Sequence, residues 1–171
     1  MRTAILAAVL TLVAATAAPA LADPAGAEVE AFMANYIKLW NADDAQTITT
    51  QIYKFDAPGN PLQTVDGFQK SYAALKANGY DHSETHSIHG CVLSRTSALA
   101  ELRFGRMTKD GKPYAEGSGN LVSLYQLKMT PDGWRVAAMI GMDPSAKFDC
   151  ASYTPSAANA GRGGGGRRGG Q

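Results

Sequence analysis

Three histidines, His82, His86 and His89, fall close together, with Glu84 between the first two. On an extended strand alternate side chains share a face, so His82, Glu84 and His86 form a His-x-Glu-x-His arrangement able to hold a divalent metal. The run opens just after Gly79, where a sheet edge is solvated, and exposed or hydrogen-bonded histidines satisfy the pattern equally well. No metal is therefore assigned, and no cofactor. A second set is aromatic. Tyr36, Trp40, Tyr53, Phe104 and Tyr125 could line an apolar pocket, with orienting polar groups from Arg103, Glu116, Ser118 and Asn120. The competing reading has these rings filling the core. The two cysteines, Cys91 and Cys150, form no CxxC pair, which leaves redox or zinc chemistry without support.

The address of the chain bears on those cysteines. Arg2 precedes an apolar run of small residues from Ala4 to Ala18, and Ala20-Leu21-Ala22 has the small-residue form of a cleavage site. Residues 1–22 read as a signal peptide, so the expected location is periplasmic or secreted, with no membrane contact after cleavage. In that oxidising setting the even count favours a Cys91–Cys150 disulfide, two buried thiols being the alternative. The formal charge of +1 includes Arg2 and the tail arginines Arg162, Arg167 and Arg168. The body between them therefore carries about three net negative charges and offers no nucleic acid a basic surface. The Gly/Arg run from Gly161 onward contains no aromatic residue to stack on bases, and residues 151–171 read as a disordered tail.

Between these ends, residues 23–150 suffice for one domain. Val29, Phe32, Met33, Tyr36, Ile37 and Trp40 recur at helical spacing, and Ile48, Ile52 and Tyr53 suggest a second helix after Asn41-Ala42-Asp43-Asp44. A capping-box pattern from Asp66 to Gln69 predicts a third, ended by Asn78-Gly79. From His82 the period changes towards two. Strands are expected over 82–93, 98–104 and 121–129, and from Trp134 through Ile140, with turns at Asp110-Gly111 and Asp132-Gly133. Gly105, Gly117 and Gly119 are expected sites of bulges or bends.

Three helices followed by strands, with Tyr36-Ile37-Lys38-Leu39-Trp40-Asn41-Ala42-Asp43-Asp44, Val65-Asp66-Gly67 and Asp132-Gly133-Trp134-Arg135-Val136 as marks, resembles the nuclear-transport-factor-2-like superfamily. That superfamily includes SnoaL-like cyclases and ketosteroid isomerases. The resemblance covers roughly residues 27–142 and implies an α+β fold: three N-terminal helices on the concave face of one curved, mainly antiparallel sheet of four to six strands. It also implies a homodimer through the exposed sheet face. Beside the isomerases, Tyr36 matches the oxyanion-donating tyrosine and Asp56 is the nearest carboxylate base, but the run 121–127 lacks the acid of the central strand. Dehydratase-like members imply His86 as a partner for Asp56.

The leading reading is thus an exported, non-catalytic module that binds a small apolar ligand or a protein partner. Its expected ligand contacts are Tyr36, Trp40, Tyr53, Arg103, Phe104, Asn120 and Tyr125. The alternative is a small lyase or isomerase carried by Tyr36, Asp56 and His86.

Overall fold

A computed structural model describes residues 24–153; the segment read as a signal peptide and the Gly/Arg tail lie outside the described residues. Helix α1, Pro24–Asn41, buries Val29, Met33, Tyr36, Ile37 and Trp40, the face its spacing predicts. It stops where Asp43 takes a positive φ of 54°, a conformation that Asp tolerates better than most residues. Asp44 then caps α2, Ala45–Thr47, by accepting from the Thr47 N–H at 3.0 Å. The second helix is shorter than its apolar spacing suggested. It widens at once into a π-turn over Ile48–Ile52, and the Thr49 hydroxyl donates back to the Ala45 carbonyl at 2.7 Å. The wider turn leaves Ile48, Ile52 and Tyr53 all buried.

Helix α3, Val65–Ala77, starts two residues earlier than the capping-box pattern suggested. Thr64 is the cap, accepting from Gly67 N–H at 3.1 Å, while Asp66 pairs with Lys70 one turn on. Gly67 is required here for space, since a Cβ would lie 2.1 Å from the Pro61 carbonyl oxygen. Among the described residues no helix is long and apolar enough to cross a membrane.

The strands β1 (His82–Ser94), β2 (Ser97–Met107), β3 (Leu121–Thr130) and β4 (Gly133–Met142) form one antiparallel sheet in the order β1-β2-β3-β4. Four strands stand at the lower end of the expected range. An isolated parallel bridge joins Tyr53 to Val136. The Asp132-Gly133 turn closes β3 onto β4, with Gly133 at φ 103°. The Asp110-Gly111 turn instead closes a small excursion, tied by Thr108 and Lys112, within the long connection from β2 to β3. Bulges occur between Thr85 and Ser87, between Val92 and Ser94 and between Gln126 and Leu127, not at the glycines. Gly105 is regularly paired with Glu84, and Gly117 and Gly119 belong to the connecting loop.

One face of β2 presents Ala98, Ala100, Leu102 and Phe104 to the helices, all buried. The other carries Glu101, which is 4% exposed, and Arg103, which grips it through two hydrogen bonds of 2.9 and 3.0 Å. Arg103 also donates to the carbonyls of Pro144, at 2.8 Å, and Ala146. Those two carbonyls belong to the segment 143–153, which crosses this outer face as a strap. Its end is fastened by a Cys91–Cys150 disulfide with 5.5 Å between Cα atoms, the pairing the sequence favoured. Cys150 opens a short 3-10 turn, and Tyr153 stacks on Phe148, so the strap extends a few residues into the stretch read as tail.

Candidate functional site

The inward side chains of α1, the π-turn and the sheet converge on a recess of about 50 Å³. Tyr36 and Trp40 reach it from α1 and Tyr53 from the end of the π-turn. The sheet supplies Ser83, Phe104, Arg106, Ser123 and Tyr125. The hydroxyls of Tyr36 and Tyr53 share a buried hydrogen bond of 2.7 Å, and Tyr125 meets Tyr36 edge to face with centroids 5.8 Å apart. The Arg106 guanidinium lies over the Phe104 ring at 5.9 Å.

These groups set each other's charge. Burial pushes the Tyr36 and Tyr125 phenols well above their ordinary range; Tyr53 raises Tyr36 further while a hydrogen bond with Tyr125 lowers it, and Tyr36 raises Tyr125 further. Burial likewise raises Tyr53. Arg106 pulls all three down, by a smaller amount than burial raises them. The recess therefore offers neutral O–H groups and one fixed positive charge. It can receive a carbonyl or carboxylate oxygen. Among the described residues that line it, none is a carboxylate or an imidazole.

Five of the seven residues expected at a ligand, Tyr36, Trp40, Tyr53, Phe104 and Tyr125, line the recess. Arg103 and Asn120 do not. Arg103 stands on the opposite parity of β2 from Phe104 and is committed to Glu101 and the strap, while Asn120 is exposed in the loop before β3. Glu116 is exposed in the same loop, and buried Ser118 bonds backbone groups of Arg106 and Ala115. Arg106 and Ser123 take the polar positions instead. The signal for Arg106 was available: continuing the alternation two residues past Phe104 places it inward.

The acid/base trio is not assembled at this recess. Asp56 is 65% exposed and pairs with Lys128 of β3, and His86 is exposed on β1. His82 bridges Asp81 at 3.0 Å and Glu84 at 3.4 Å, and His89 is exposed. Among the described residues no group of three or more His, Cys, Asp or Glu side chains is arranged to hold a metal.

Two other surfaces stand out. An open groove of about 580 Å³ runs between α1, the π-turn and the β3–β4 turn, lined by residues including Phe32, Asn35 and Trp134. On the outer face, Leu99, Leu124, Ala138 and Ile140 border a shallow apolar hollow beside the strap, with Ile140 60% exposed.

The family model described as NTF2-like protein (DUF6841) matches residues 27–144. The chain belongs to this NTF2-like family, and its α+β architecture of helices on a four-stranded antiparallel sheet is the fold of that class. Among solved structures it is similar to an NTF2-like protein with a cystatin-like fold from Novosphingobium aromaticivorans, at 16% identity and a TM-score of 0.47, over 74% of this chain and 86% of the other. It is also similar to a ketosteroid isomerase-like protein from Erwinia carotovora atroseptica, at 19% identity and a TM-score of 0.45, over 71% and 99% of the two chains. A third is a domain of unknown function with a cystatin-like fold from Nostoc punctiforme, at 11% identity and a TM-score of 0.48, over 74% and 79%. No curated protein matches the chain.

Proposed function

We propose that this NTF2-like domain is an exported binding module that holds the polar end of a small, largely apolar molecule. The observation carrying this reading is the convergence of the Tyr36, Tyr53 and Tyr125 phenols with the Arg106 guanidinium on one recess. At about 50 Å³ the recess is far smaller than the several hundred Å³ that enclose a whole drug-sized ligand. It suits a carboxylate or carbonyl head. The tail of such a ligand would leave past Leu62 and the half-exposed Met139, which also border the recess. Acid/base turnover lacks a comparable observation, because Asp56 and His86 face elsewhere.

Trp40 borders the recess and reports on it. Titration with hexanoate is expected to change tryptophan fluorescence saturably, with hexanol much weaker. Arg106→Gln should abolish the response and Asp56→Asn should leave it intact. If hexanoate and hexanol act alike, or Arg106→Gln binds as well as the natural sequence, the reading fails. Light scattering tests the homodimer; the apolar hollow around Leu124 and Ile140 would be its contact.

A further inference from the structure

We propose that His86 and Met107 form a binding site for monovalent copper on the outer face of the sheet. The histidine run of β1 is split by the structure. Cross-strand pairing sets His82 opposite Met107 and Glu84 opposite Gly105, and the bulge between Thr85 and Ser87 re-aims His86. His82 is occupied by Asp81 and Glu84. His86 makes no hydrogen bond or ion pair among the described residues, and its ring is turned towards Gly105.

Gly105 leaves a small space that three donor atoms surround. A Cβ built there would lie 3.1 Å from the Met107 thioether sulfur, 3.1 Å from the Gly119 carbonyl oxygen and 3.4 Å from His86 Nε2. The cradle is held in place. The Asp81 N–H donates to the Met107 carbonyl at 2.7 Å, and the Arg106 N–H donates to the Ser118 carbonyl at 2.7 Å, drawing the loop that carries Gly119 back onto β2. Gly119 in turn abuts the Pro113 ring, where a Cβ would come within 2.9 Å of Cγ.

Donor chemistry selects the ion. A thioether is a soft ligand that favours Cu(I) and contributes little to Zn²⁺ or Mg²⁺, and imidazole completes a set that copper accepts. Zn²⁺ would prefer His82 and Glu84 together with His86. That set is already spent on a side-chain pair, whereas Cu(I) accepts two-coordinate ligation by an imidazole nitrogen and a soft thioether sulfur.

The test uses the full processed chain with its disulfide intact. Cu(I) is supplied anaerobically as its acetonitrile complex against the chelator bicinchoninate, with no thiol reductant present. The chain is expected to withdraw one equivalent of Cu(I) from the chelator. Met107→Leu, His86→Gln and Gly105→Ala should each weaken binding by about tenfold or more, while His82→Gln should not. His86 is exposed, so His86→Gln keeps the test valid should a variant at the buried Met107 fail to fold. Addition of Ag(I), a redox-inert mimic, should shift the Met107 methyl resonance ahead of the other methionines. No withdrawal of copper, undiminished binding by His86→Gln, equal competition from Zn²⁺, or a shift at a different methionine would overturn the proposal.

Discussion

Tyr36 of α1 and Tyr53 at the end of the π-turn, seventeen positions apart in sequence, place their hydroxyl oxygens 2.7 Å from each other in the buried recess. One of them donates and the other accepts, and burial raises both phenols. The contact therefore ties the two helical segments at the point where Arg106 contributes its charge.

Removing either hydroxyl leaves its partner short of a bond in a dry site. Tyr53→Phe and Tyr36→Phe are each expected to lower stability by about 1–2 kcal/mol. The double variant should lose less than the sum, because no orphaned hydroxyl of the pair remains. Urea unfolding of the four proteins checks this, and strict additivity would contradict it.

Alkaline pH should unfold the domain through the same cluster. In the unfolded chain phenols ionise near pH 10, whereas Tyr36, Tyr53 and Tyr125 hold their protons well above that. Below pH 10 both states are protonated and stability is unaffected by these groups. Above it only the unfolded state releases protons, so stability falls by about 1.4 kcal/mol per pH unit for each phenol. Absorbance at the phenolate band should show these three ionising together with the loss of helical circular dichroism, not before it.

The strap should depend on its disulfide. Cys91 and Cys150 are separated by 59 positions, and closing a loop of that size stabilises by about 4 kcal/mol in the chain-entropy account. Replacing both by serine should lower the melting temperature and hasten tryptic cleavage after exposed Lys147. Cleavage at an unchanged rate would mean that Arg103 alone holds the strap.

Arg103 is expected to be needed chiefly because of Glu101. Arg103→Ala strands a carboxylate that is 4% exposed, and it also releases the Pro144 and Ala146 carbonyls. Glu101→Gln in that background should recover part of the lost stability by removing the unpaired charge. If thermal unfolding shows no recovery, the cost lies with the strap contacts.

Much of this architecture was legible in local pattern. The apolar stripe from Val29 to Trp40 could be satisfied only by a helix with one buried face, and the alternation from Ala98 to Phe104 only by a strand. The same parity sets Arg103 on the face opposite Phe104, and a strand ended at Phe104 leaves Arg106 out of the pattern. Carried on to Met107, the pattern turns Arg106 inward. The capping box failed for a different reason. Thr64 and Asp66 both have capping side chains, and the choice falls to Thr64 because its hydroxyl meets the Gly67 N–H while Asp66 turns to Lys70.

Other features depend on approach between segments that no local period encodes. The amino-acid sequence by itself determined the family, the helical and extended runs, the aromatic set and the two cysteines available for pairing. Tertiary structure decided that Tyr36 meets Tyr53, that Asp56 turns outward to Lys128, and that a bulge sends His86 towards Met107. Periodicity assigns a side chain to a face. Which atoms meet depends on strand register, on bulges that change the parity of a strand, and on how the faces pack, and these are settled only when the whole chain closes around its core.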